Sequence, residues 1–151
     1  MFRLSREPIR TGRKFNPIRV TAACIYQNDM ILICRRASEE KLAGYWEFPG
    51  GKVERGETDK QCLQRELYEE LGIVTEVTAF IAENTHHYDD LVVTLALYTA
   101  NILEGVPTPT VHDTALWIDP CDLLKWNLAP ADLPLALAVI DKLTATSENP
   151  V

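Results

Sequence analysis

Residues 51 to 73 read GKVERGETDKQCLQRELYEELGI, and no other stretch constrains the fold as tightly. The pair Gly50-Gly51 permits unusual backbone angles and close approach to a ligand, and Lys52 follows at once as a cation suited to phosphate. A helix is expected from Asp59 to Leu71. Thr58 suits its N-cap, Leu63, Leu67 and Leu71 recur at i, i+4 and i+8, and Gly72 supplies the C-terminal stop. Glu66, Glu69 and Glu70 are related by i, i+3 and i+4 and share another face. At about 100° per residue, their mean direction lies roughly 110° from that of the leucines. The pattern therefore predicts buried leucines and outward carboxylates. Like charges at i, i+4 cost about 0.2–0.5 kcal/mol per pair. Such a face is either a solvated acidic surface or a ligand set for a hard divalent cation, which takes oxygen donors and completes its shell with substrate phosphates.

Strands are expected on both sides of this helix. Ile18 to Tyr26 reads as a largely buried strand, Asn28-Asp29 as a turn, and Met30 to Cys34 as the returning strand of a hairpin. A polar loop over Ala37 to Gly44 leads to the short segment Trp46-Glu47-Phe48. Two further strands are expected at Ile73 to Ala82 and Leu91 to Ile102, joined by a loop holding His86, His87, Tyr88, Asp89 and Asp90. Ala115 to Ile118 makes a short strand. A final helix runs from about Leu133 to Leu143, with Asp132 as N-cap and Leu133, Leu137 and Ile140 on one face. The order implies an α+β fold, an α/β/α sandwich with a mixed sheet between helices.

The length of 151 residues suits a single domain. The expected division is a basic, flexible leader over 1–16, one domain over 17–146 and a short tail over 147–151. In the leader Arg3, Arg6, Arg10, Arg13 and Lys14 meet only Glu7, so the body is more acidic than the net charge of −7. That balance argues against binding a nucleic-acid polymer. No apolar run is long enough to span a membrane and no secretory signal is legible, so the expected location is the cytoplasm. Cys24, Cys34, Cys62 and Cys121 are scattered, which predicts free thiols and no zinc site. Adjacent His86 and His87 would point to opposite faces of a strand, and a Mg²⁺ site wants oxygen, so neither is expected to hold metal.

The same 23 residues carry a resemblance. They match the Nudix box, G-x5-E-x7-R-E-U-x-E-E-x-G-U with U aliphatic, through Gly51, Glu57, Arg65, Glu66, Leu67, Glu69, Glu70, Gly72 and Ile73, every spacing correct. Trp46-Glu47-Phe48-Pro49-Gly50-Gly51-Lys52 and Leu128-Ala129-Pro130-Ala131-Asp132 extend the likeness to the MutT branch, over about residues 18 to 143. The Pro-Ala-Asp ending resembles the CTP pyrophosphohydrolase group, whereas enzymes specific for 8-oxo-guanine nucleotides carry Asn there.

The resemblance implies a cytoplasmic hydrolase that converts a nucleoside triphosphate to the monophosphate and pyrophosphate with Mg²⁺, or Mn²⁺ in its place. It implies Glu66, Glu69 and Glu70 as catalytic metal ligands, assisted by the Gly50 carbonyl. Gly51, Glu57 and Arg65 would support the box, Arg65 by pairing with Glu57. Arg36 and Lys52 are the candidate phosphate contacts and Phe48 an aromatic wall for the base. Asp132 would be a base-reading acceptor matched to the cytosine amine, or simply the helix N-cap. Related enzymes place a glutamate as general base six residues before the tryptophan that is Trp117 here. Val111 stands at that position. The base is then Glu66, Glu69, Asp113 or water activated by the cation alone, with His112 expected as a solvated turn residue.

Other substrates of the family (ADP-ribose, NADH, dinucleoside polyphosphates) remain open at this stage, as does an inactive nucleotide-binding module. The expected partners are a small nucleotide and, for assembly, a second copy of the chain.

Overall fold

The computed structural model describes residues 16–148; the leader and most of the expected tail lie outside them. Strands β1 (Ile18–Gln27) and β2 (Met30–Arg36) form the expected hairpin, turned by Asn28 and Asp29, both in the left-handed region. Short strands β3 (Trp46–Glu47) and β4 (Gly50–Lys52) precede helix α1 (Asp59–Leu71). Then follow β5 (Val74–Tyr88), β6 (Leu91–Glu104), β7 (His112–Ile118), a 3-10 turn over Pro120–Lys125, and helix α2 (Leu133–Glu148).

The sheet is mixed: β1 runs parallel to β6, and every other strand pairing is antiparallel. Helix α1 covers one face and α2, with the 3-10 turn, the other. This is the expected α+β sandwich. Alternate residues of β1 and β2 feed two cores, which is why both strands are apolar without a polar face. Val20, Ala22, Cys24, Ile31 and Ile33 pack on the α2 side with Leu135, Ala136 and Val139. Ala23, Ile25, Leu32 and Cys34 pack on the α1 side with Leu63, Leu67 and Leu71. Each of those three leucines is fully buried, and truncation of one to alanine would cost about 2–5 kcal/mol.

The departure that makes a site is between β1 and β2. They pair only near their turn, at Tyr26↔Ile31 and Gln27↔Met30, and then diverge. Segment 46–52 enters the gap. β3 joins β2, β4 joins β1, and the Ala23 N–H donates to the Pro49 carbonyl at 2.8 Å.

Three expectations require correction. His86 and His87 lie in β5, paired with Val93 and Val92, because the hairpin turns on Asp89 and Asp90 alone. The polar composition of that stretch reflects an edge strand, not a loop. β7 starts at His112, three residues early. Finally, Leu133 and Leu137 are 44% and 46% exposed while Leu135, Ala136 and Val139 are buried. α2 opens with apolar residues around its whole circumference, so its pattern could not select the inner face.

Candidate active site

Helix α1 starts on a capping box, with Gln61 N–H donating to Thr58 Oγ1 and Thr58 N–H to Gln61 Oε1, and stops at Gly72 in the left-handed region. Its carbonyl end is closed by the loop after β6. The Thr108 N–H donates to the Leu71 carbonyl and the Thr110 N–H to the Glu70 carbonyl, at 2.9 and 3.0 Å. This docking carries Val111 and His112 to the acidic side of the helix.

The carboxylates do not all point outward as predicted. Glu70 is 2% and Glu66 7% exposed, and Glu69 alone is open to solvent. Averaging the three directions concealed this. Measured singly from the centre of the leucine stripe, Glu70 lies roughly 60° away, Glu66 about 100° and Glu69 about 160°. The first two border the buried stripe. Room for Glu66 comes from Gly51, where an added Cβ would collide with the carboxylate; at Gly50 it would collide with the Thr21 carbonyl.

Arg65 organises the entry to this helix. Its Nε and Nη2 fork onto the Glu57 carboxylate at 3.0 and 2.9 Å, and its Nη1 is shared between Glu66 and Glu69 at 2.9 and 3.2 Å. The Arg65 hydrogen bond holds the Glu57 carboxyl below the usual range. Lys52 is exposed on β4, and its carbonyl accepts from Arg65 Nη2 at 3.2 Å. Among the described residues, no three His, Cys, Asp or Glu side chains converge as a cage for a metal ion. Glu66, Glu69, Glu70 and the Gly50 carbonyl, the ligands that the resemblance implies, offer oxygen throughout. That chemistry fits a cation which leaves positions for water and phosphate.

Behind the glycine turn lies a pocket walled by Val20, Ala22, Arg36, Phe48, Gly51 and Asp132 among others. Thus Arg36, Phe48 and Asp132 are brought together, and Lys52 is not among them. Arg36 is buried. It donates through Nε to the Lys41 carbonyl at 2.7 Å and through Nη1 to Glu47 Oε2 at 2.9 Å, while Nη2 has no hydrogen-bond partner among the described residues. Asp132 does not use its side chain as an N-cap. Its Oδ2 accepts from the Phe48 N–H at 2.9 Å, across the pocket wall. Burial, and then the Glu47 charge, push its carboxyl well above the usual range.

One residue of this pocket, Glu47, was missed, and its partner His112 was misread. Glu47 carried no sequence signal, yet burial that would raise its carboxyl is outweighed by the His112 hydrogen bond and Arg36, leaving it below its ordinary value. His112, expected in solvent, has a side chain of 0% exposure; its Nε2 lies 2.9 Å from Glu47 Oε1 and its Nδ1 4.0 Å from Glu70 Oε2. Asp113 is at the surface, paired with Arg35 at 2.7 Å, and that hydrogen bond holds its carboxyl low. Asp113 is therefore remote from the role of a base. Val111 is exposed. His86 stacks edge-on against Tyr88, a pocket residue, with centroids 4.5 Å apart.

Cys24, Cys34 and Cys62 are buried and free, as predicted, and burial pushes the Cys24 thiol up to about 11. Cys121 is free and exposed. No helix among the described residues is long and apolar enough to cross a membrane.

The class of protein follows from the match of the whole domain, not from the acidic helix alone. The NUDIX domain family matches residues 16–138, so the chain belongs to that family and is a Nudix hydrolase. The chain is 37% identical over 118 residues to the CTP pyrophosphohydrolase of Escherichia coli, covering 78% of this chain and 87% of that protein. It is 33% identical over 109 residues to the 8-oxo-dGTP diphosphatase of the same organism, covering 72% and 84%. A solution structure of the E. coli ORF135 protein superposes with a TM-score of 0.77 at 34% identity, over 87% of this chain and 94% of that one.

Proposed function

We propose that the chain is a Mg²⁺-dependent nucleoside triphosphate pyrophosphohydrolase that releases the monophosphate and pyrophosphate, with cytosine nucleotides, oxidised forms included, as preferred substrates. The observation that carries this reading is the shared wall: Gly51 lies against Glu66 of the acidic helix and, with Gly50, lines the pocket holding Phe48, Arg36 and Asp132. A base in the pocket then sets its phosphates against the box.

Glu66, Glu69, Glu70 and the Gly50 carbonyl would hold the cation, which when bound neutralises phosphate charge and activates the attacking water. Arg65 fixes Glu66 and Glu69, and Lys52, exposed beside them on β4, offers a positive charge to the polyphosphate. In the pocket, Phe48 provides an apolar face, Arg36 Nη2 an uncommitted donor for a ring carbonyl, and the Asp132 carboxyl an acceptor for an exocyclic amine. Cytosine presents carbonyl and amine on one edge. The names of the two relatives, one a CTP and one an 8-oxo-dGTP enzyme, support the triphosphate class and divide on the base.

The test is a panel of CTP, dCTP, UTP, dGTP and 8-oxo-dGTP with Mg²⁺, assayed for monophosphate and pyrophosphate, on wild type and Asp132→Asn. A matched polar contact discriminates by about 1–3 kcal/mol, hence about 5- to 150-fold in kcat/KM. The preference for cytosine should shrink in the variant. A wild type that prefers 8-oxo-dGTP a hundredfold over every cytosine nucleotide would overturn the base assignment and leave the reaction class standing.

A further inference from the structure

His112 is a buried titratable side chain that neither the box nor the base contacts explain. It lies on β7 beside the bulge of β2, in register with Arg36. Glu47 comes from β3, opposite Cys34 of the same strand. Three strands therefore converge on one carboxylate. Glu47 Oε2 accepts from Arg36 Nη1 and Glu47 Oε1 faces His112 Nε2, each at 2.9 Å. A carboxylate only accepts, so Nε2 carries the proton of that bond. Nδ1 has no hydrogen-bond partner among the described residues, and its nearest carboxylate, on Glu70, stands at 4.0 Å.

We infer that His112 is a positioning residue for the base pocket: it fixes Glu47, which in turn holds the Arg36 guanidinium in the pocket wall, where Nη2 has no hydrogen-bond partner among the described residues. The chain runs from His112 through Glu47 to Arg36, with each link a charge-assisted hydrogen bond in a buried place. The competing role, service to the box helix through Nδ1 and Glu70, has a separation beyond hydrogen-bond reach. Both carboxylate oxygens of Glu47 are engaged, so without His112 the carboxylate loses one of the two anchors that set its orientation. Arg36 has an alternative partner in the Lys41 carbonyl and would follow a displaced Glu47 away from the pocket. The inference rests on the triphosphate reading above.

The two nitrogens allow the roles to be separated. A glutamine at 112 can place its amide nitrogen where Nε2 lies, whereas asparagine reaches only to the Nδ1 position. With the full chain, Mg²⁺ and CTP, His112→Leu and His112→Asn should raise KM about tenfold with kcat within about threefold, and His112→Gln should recover most of the KM. In an Arg36→Ala background, His112→Leu should add less than a twofold further rise, because its route to substrate is already gone. Thermal unfolding of each variant checks that the fold persists, and the Arg36→Ala cycle is read on folded protein. Loss of kcat in both His112→Leu and His112→Gln with KM unchanged would overturn the inference, as would full additivity with Arg36→Ala. A wild type that hydrolyses none of the triphosphates would instead overturn the proposed reaction.

Discussion

The glycine turn with helix α1 and the pocket beside it meet at Gly50 and Gly51, yet they are built by opposite means. The box side is one contiguous segment. Its charges are organised by Arg65, whose guanidinium holds Glu57 in a fork and touches Glu66 and Glu69. The pocket side gathers Arg36, Glu47, Phe48 and Asp132, with His112 behind Glu47, from four places in the chain, and Arg36, Asp132 and His112 are buried. A contiguous charged segment sets its carboxylates beside a permanent cation. A dispersed buried cluster has few cations to share, and the carboxyl left out, Asp132, is pushed well above the usual range.

The largest effect is expected on the acidic face of the box helix. Glu70→Gln and Glu69→Gln each remove an anionic ligand with little change in volume, and kcat measured at saturating Mg²⁺ should fall by about 10²–10³-fold or more with the fold intact. Near-normal turnover in either would break the division between a metal side and a base side. Next comes Gly51→Ala. Its Cβ would displace the Glu66 carboxylate, and a shift on the order of 1 Å at a reacting site costs about 10²-fold, so kcat should drop while nucleotide binding in the pocket persists.

The third measurement sharpens the comparison through pH. The Asp132 carboxyl is raised in the folded protein, so its contribution is greatest below the unfolded value of about 3.9 and is lost as pH rises toward the folded value. Asp132→Asn should therefore gain thermal stability relative to wild type as pH climbs from about 4 to about 8. Glu57 has the opposite sign. Its carboxyl is lowered by Arg65, so Glu57→Gln should lose stability near neutral pH, with the difference vanishing as pH falls below the carboxylate range. Parallel slopes in the two melting series would contradict the contrast drawn here. The smallest effect belongs to Asp113→Asn. That carboxylate is an exposed partner of Arg35, and kcat should stay within about twofold.

What residues 51–73 alone determined was the family, the capped helix and the buried leucine stripe, because all of these depend on spacing within a few turns of one element. The hairpin of β1 and β2 was equally legible from its apolar runs and Asn28-Asp29. Tertiary structure decided the rest. The carboxylate at 66 found room inside because a residue fifteen positions upstream lacks a Cβ, which no helical period records. His112 left solvent because the preceding loop closes the last carbonyls of α1 and carries it inward. Asp132 abandoned the helix end for the Phe48 N–H, and Glu47 acquired partners from β2 and β7, because β1 and β2 diverge and let segment 46–52 between them. Hydrogen bonds between residues 84 and 65 positions apart leave no periodic trace in a sequence; only the path of the sheet brings their atoms within reach.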